Sequence, residues 1–225
     1  VWFQLSVVVE VMMNDLLNAL LMMMLVLNLF TLGSSRLVTM IRIVAVQGIL
    51  LGFLPLLLHE SLTIPVVVAT LSAIVLKGSL IPAIMLRALR DAQIKREVEP
   101  LIGFLPSILL GALGTGVALL FFGQLEAVNT HAGSFIIPTS VATIFVGFVL
   151  LTTRFKAISQ VLGYLVLENG IFVFSLLLIE AIPLVVEMGM LLDLFVGIFV
   201  ISIITNHINR AFSSLDTRKL VSLKE

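Results

Sequence analysis

Cysteine is absent from the 225 residues, which excludes disulfides, thiolate metal sites and any iron–sulfur cluster held by this chain. Charge is scarce as well. Asp, Glu, Lys and Arg make up 12% of the sequence, where a water-soluble domain carries about 25%. Basic and acidic residues balance at 13 each, so no surplus of positive charge points to nucleic acid. There is no nucleotide-binding loop, no catalytic triad and no glycosidase-like carboxylate pair in an aqueous setting. His59, His131 and His207 have no second His or Cys at ligand spacing, which argues against a metal site. The first thirty residues lack a basic stretch followed by a small-residue cleavage site, so a removable signal peptide is not expected.

Apolar residues fill the space these absences leave. They account for 60% of the chain, with a mean hydropathy of +1.23, far too apolar for a core that water must surround. The class is therefore an all-α polytopic membrane protein. About seven segments have the roughly 20 apolar residues that a spanning helix needs. They run over Val9–Leu32, Leu37–Leu58, Thr63–Leu86, Leu101–Gly123, Ile137–Thr153, Ala157–Ile179 and Pro183–Thr205. Barrel strands would be short and would alternate polar with apolar residues, which these segments do not. Pro65, Pro138 and Pro183 fall in first turns, where the missing N–H is harmless. The small residues of LGALGTG suit a close helix crossing in the fourth span.

Lys and Arg set the expected orientation. Arg36 is in the first loop, Arg87, Arg90, Lys95 and Arg96 in or beside the third, and Arg154 and Lys156 in the fifth. Arg210, Arg218, Lys219 and Lys224 are in the tail, whereas the second, fourth and sixth loops carry neither residue. Basic residues stay on the cytoplasmic side, so the N-terminus is expected outside and the C-terminus inside. Arg42 is close enough to the same side to snorkel. The mixed charges of ALRDAQIKREVEP, the third loop, read as a solvated turn.

Ionisable residues inside the apolar runs are the candidates for function. A carboxylate at bilayer depth costs on the order of 3 kcal/mol even on the mildest scale. Glu168 sits in the middle of the sixth span, with Gln160 and Tyr164 at i−8 and i−4 on the same helix face and Asn169 beside it. That face should meet the bundle interior or a hydrated cavity. Glu187 and Asp193 lie in the seventh span, about a third of a turn apart in azimuth, so they address different neighbours. Lys77 lies deep in the third span. Five residues on, Pro82 removes a backbone donor and kinks the helix, a plausible place for water or a carboxylate partner. Buried lysine can release its proton. Buried ionisable groups without a metal or nucleotide motif point towards moving protons. The bland alternatives are a protonated packing anchor for Glu168, an interfacial position for Glu187 and a static salt bridge for Lys77. In the first span Asn14, Asp15 and Asn18 cluster; the asparagines read as glue between helices, and Asp15 as a hydrated boundary residue or a support to the acids.

The runs RFKAISQVLGYLVLENGIFVFSL and LVVEMGMLLDLFVGIFVISIITNHINRAFSSLDTRKLVSLKE resemble hydrogenase-4 component E. That family comprises membrane subunits of formate-hydrogenlyase-type complexes with group 4 nickel–iron hydrogenases. The last three spans are similar to the K subunit of respiratory complex I and the C subunit of multisubunit cation/proton antiporters. Those three-helix proteins carry a buried glutamate in each of their last two helices. Glu168 matches the first and Glu187 the second; Asp193 is an acid beyond that pattern. The resemblance implies one transmembrane domain, with a four-helix part over 1–136 and a K-subunit-like part over 137–225. It implies a subunit that is not catalytic by itself, in a prokaryotic plasma membrane, beside antiporter-like and other small membrane subunits. The nickel–iron centre and iron–sulfur clusters would lie in cytoplasmic hydrogenase-type partners, with no cofactor in this chain. On this reading Glu168, Glu187, Asp193 and Lys77 line a lateral proton path, supported by Gln160, Tyr164, Asn169, Asp15 and Asn18. Two rivals stand beside it: a scaffold joining antiporter-like subunits to the hydrogenase core, and a stand-alone secondary transporter. The transporter would be expected to show paired broken helices, and the sequence offers one break, at Pro82.

Overall fold

Backbone amides in a bilayer have no water to bond to, so an apolar chain must satisfy them within its own helices. A computed structural model describes residues 2–58, 64–91, 100–122 and 135–178, and these are helical apart from short connections. The helices are α1 (Trp2–Gly33), α2 (Leu37–Leu58), α3 (Ile64–Val75), α4 (Ile81–Asp91), α5 (Phe104–Phe122), α6 (Ile136–Thr153) and α7 (Ala157–Ser175). A π turn, Leu76–Leu80, joins α3 to α4 in one rod, and a 3-10 turn, Leu176–Leu178, ends α7. Six helices among the described residues are long and apolar enough to cross a membrane. The expected seventh span, with Glu187 and Asp193, lies outside the described residues.

Short connections force antiparallel neighbours. Gly33 ends α1, and within the turn Ser34 Oγ accepts the Arg36 amide at 3.3 Å. At the same end of the bundle the Leu101 amide donates to the Thr153 carbonyl at 2.9 Å, tying the approach to α5 to the end of α6. Alternation places the end of α1, the start of α2, the end of α4, the start of α5, the end of α6 and the start of α7 together. Every Lys and Arg on the described residues except Lys77 lies at or near this basic end.

Pro82 shapes the third rod. A proline lacks the N–H that would close a helical turn, and its ring crowds the carbonyl a turn earlier. Just before it the helix widens, and the Ile81 N–H bonds to the Leu76 carbonyl five residues back. Such a turn accommodates one extra residue without breaking the rod.

The core has two large apolar layers, with a small third cluster of Leu25, Ala118 and Ala142 between α1, α5 and α6. Leu32, Leu37, Met40, Ile41, Met85, Leu89, Leu150 and Leu162 form one, towards the basic end. Leu17, Leu21, Leu51, Leu54, Ile136 and Val173 form the other. The faces of α5 that carry Leu105, Leu109, Leu113, Leu120 and Phe121 remain exposed, as suits contact with lipid chains. Of the LGALGTG glycines, Gly111 lies against Leu32 and Gly114 against Phe145, while Gly116 has open space.

Candidate functional site

Between the two apolar layers four helices and the π turn contribute polar side chains. Asn28 comes from α1, Gln47 from α2, Lys77 from the π turn, Thr143 from α6, and Glu168 and Asn169 from α7; all are buried. At 1.5 Å per residue from the basic end of its own helix, Gln47 lies about 15 Å in, Glu168 about 17 Å and Lys77 about 21 Å. Against a hydrocarbon core of about 30 Å, this is mid-depth.

The layer holds two connected parts. The first is an ion pair: Lys77 Nζ lies 3.3 Å from Glu168 Oε1, with the side chains 5% and 4% exposed. The lysine also lies 5.1 Å from the centroid of the Phe172 ring, one turn further along α7. Glu168 Oε2 has no hydrogen-bond partner among the described residues. Desolvating two charges is expensive, and their attraction offsets that only with good geometry and further hydrogen bonds. The lysine reaches the pair because α2 lets the rod come close. A β-carbon on Gly48 would sit 2.7 Å from the Lys77 backbone carbon and from its Cβ.

The second part is a row of amides. Asn169 Nδ2 donates to Gln47 Oε1 at 3.4 Å, Gln47 Nε2 to Asn28 Oδ1 at 2.9 Å, and Asn28 Nδ2 to Thr143 Oγ1 at 2.8 Å. The Thr143 hydroxyl donates in turn to the Thr139 carbonyl at 2.7 Å. The row links α7, α2, α1 and α6 and begins at the residue next to Glu168, so it fixes the azimuth from which that carboxylate projects.

The residues singled out from sequence separate in space. Lys77, Glu168 and Asn169 come together with Pro82; Lys77, Pro82 and Asn169 line one small cavity, walled otherwise by Ile41, Met85, Leu162 and other apolar residues. Tyr164 is half-buried and packs on the basic-end layer. Gln160 is exposed at the basic end and donates to the Arg154 carbonyl at 3.0 Å, so the face it was expected to share with Glu168 is not buried along its whole length. Asn18 Oδ1 accepts the Phe135 amide at 3.1 Å and ties α1 to the start of α6. Asp15 is exposed. Glu187 and Asp193 lie outside the described residues. Among the described residues no three His, Asp or Glu side chains come together as metal ligands would.

Sequence reasoning passed over Asn28, Gln47, Thr143 and Arg154. The first two carried a signal, a lone amide within the apolar runs MLVLNLF and VAVQGILL. Arg154 carried none, since an arginine after the last turn of a span is expected in water. It is instead 1% exposed. Its Nη2 donates to the Leu32 carbonyl at 2.8 Å and its guanidinium lies 4.9 Å from the centroid of Phe104. A cation thus caps the end of α1, where the helix dipole favours one, and binds α1, α5 and α6 together.

Apolar helices of spanning length around a buried polar layer define a polytopic membrane protein. No family model and no solved structure matches the chain. It is 33% identical over 193 residues to the uncharacterized protein Rv0085 of Mycobacterium tuberculosis, a match covering 82% of this chain and 85% of that one. The chain belongs to the same family as Rv0085. It is also 26% identical over 156 residues to hydrogenase-4 component E of Escherichia coli K12, across 68% of this chain and 71% of that protein. The same figures hold for hydrogenase-4 component E of Shigella flexneri.

Proposed function

We propose that the chain is a non-catalytic membrane subunit of a hydrogenase-type complex, and that Lys77 and Glu168 form the central station of a proton path within it. The distant similarity to hydrogenase-4 component E supports the first part. The observation that carries the second is the mid-depth ion pair, 3.3 Å between Lys77 Nζ and Glu168 Oε1, with its second carboxylate oxygen unpartnered among the described residues. A pair placed only for packing would be replaced at little cost by apolar side chains; an acid in a membrane interior is expected to serve transport of ions or protons. Glu187 and Asp193 extend the path in a seventh span, with the N-terminus outside and the basic end in the cytoplasm of a prokaryote. Antiporter-like membrane subunits flank the chain, and cytoplasmic partners hold the nickel–iron centre and iron–sulfur clusters.

The scaffold reading has its own support, in the Asn169–Gln47–Asn28–Thr143 row and in buried Arg154, which bind helices without titrating. Glu168→Gln separates the two. Gln keeps the size of the acid and can still hydrogen-bond, but it releases no proton and does not balance the Lys77 charge. In a relay the assembled complex keeps its redox activity with a soluble electron acceptor, while protons moved per electron in sealed vesicles fall well below the parent value. An unchanged ratio in the assembled Glu168→Gln complex would falsify the proton-path reading; lost assembly with normal coupling in the surviving complex is the scaffold's signature.

A further inference from the structure

We propose that the cavity beside Lys77 is the inlet by which protons reach Glu168 from the basic end of the bundle, with the lysine as carrier between the two. The inference rests on the proton-path reading and adds to it an entrance and a direction.

Depth gives the direction. The cavity lies between α2, α4 and α7, and Lys77 and Asn169 are the polar residues of its wall. The apolar wall reaches towards the basic end. At 1.5 Å per residue, Ile41, Leu162 and Met85 stand about 6–9 Å from the basic ends of their helices, against about 21 Å for Lys77. About 10 Å³ of the space is open to the centre of a water molecule, the room that one water takes. A constriction with apolar walls passes or stops charge according to whether it is wetted. The row of amides lies on the other side of Asn169, towards α1.

Lys77 faces both sides of the step. It lines the cavity, and its Nζ lies 3.3 Å from Glu168 Oε1. Glu168 is not part of the cavity wall, so a proton there meets the lysine or the Asn169 amide before the acid. The amide neither takes up nor releases a proton, whereas a buried amine can do both. The step balances with no group changing place. Lys77 gives one ammonium proton to Glu168: an N–H bond breaks, an O–H bond forms, and the ion pair becomes a neutral pair. A hydronium in the cavity then returns a proton to the amine and is left as water.

The test uses two substitutions in the assembled complex. Protons moved per electron are measured in sealed vesicles, and redox activity with a soluble acceptor. Val44→Ile adds one methyl-sized group to the cavity wall and leaves Lys77 and Glu168 untouched. Lys77→Arg keeps a cation beside the acid but gives up no proton at any working pH. Both are expected to keep redox activity and lose most of the pumping, while Val44→Ala, which widens the cavity, pumps at the parent ratio or above. A mere packing gap gives another pattern: Val44→Ile raises the thermal midpoint, Val44→Ala lowers it, and neither changes the ratio. Pumping at the parent ratio in assembled Val44→Ile or Lys77→Arg overturns the inference, and each variant decides alone if the other does not assemble. Glu168→Gln in the same vesicles keeps the two claims apart. If it stops pumping while Val44→Ile and Lys77→Arg pump normally, the path stands and the inlet falls. If it pumps normally, both fall.

Discussion

Gln47 holds more of the polar layer than any charged residue does. It donates to Asn28 and accepts from Asn169, so its loss leaves a buried acceptor and a buried donor unmet. Gln47→Leu should destabilise the protein by about 1–3 kcal/mol, read as a lower thermal midpoint of the purified complex, whereas exposed Asp15→Asn should leave that midpoint unchanged. Lys77 and Glu168 were legible in the sequence, because a charge inside an apolar run is a costly anomaly. That they pair was not, since no pattern along the chain says which face of the third span meets which face of the sixth. The amides were overlooked for the opposite reason. Asn and Gln are tolerated in spans as ordinary glue, and only their bonding to one another, and on to Asn169 and Thr143, distinguishes Asn28 and Gln47 from Asn18. Arg154 is a further case: its burial depends on the Leu32 carbonyl and the Phe104 ring, both remote in sequence.

At the scale of the helices, glycine decides how closely α7 can approach its partner. A β-carbon on Gly170 would lie 2.6 Å from the Ile144 amide nitrogen and 2.9 Å from the Ser140 carbonyl oxygen, both backbone atoms that cannot rotate away. Gly170→Ala should therefore push α6 and α7 apart at a cost of about 1–3 kcal/mol. Gly116→Ala, which meets nothing within 4 Å inside α5, should leave the same thermal midpoint unchanged or slightly raised. Helix positions were largely readable from apolar runs. The departures have simple causes. The run from Val9 understates α1, which extends back to Trp2 over 32 residues, because a helix can run past the roughly 20 residues that cross the bilayer core. The third rod continues to Asp91, past the expected Leu86, because Arg87 and Arg90 are good helix formers at a membrane edge. The π turn has no signature beyond Pro82 itself.

For the whole molecule, the arrangement of charge gives an orientation that can be tested. The described basic residues other than Lys77 gather at or near one end of the bundle, and the positive-inside rule assigns that end to the cytoplasm. Single cysteines at Gln93→Cys and His131→Cys have no native thiol to compete with. They should react with a membrane-impermeant reagent from opposite faces of sealed vesicles, His131→Cys from outside. Labelling from the same face would overturn the orientation. The gathering was visible in the spacing of Lys and Arg along the chain, whereas the layering of apolar, polar and apolar slabs required the helices to be stacked.

The row from Asn169 through Gln47 to Asn28 has one more consequence, best put electrically. Amide side chains neither take up nor release protons in any working pH range. The row is continuous from α7 to α1, yet it offers no carrier: on the proton-path reading, these amides hand nothing on from Glu168 towards α1, and the path is proposed to leave Glu168 by another side.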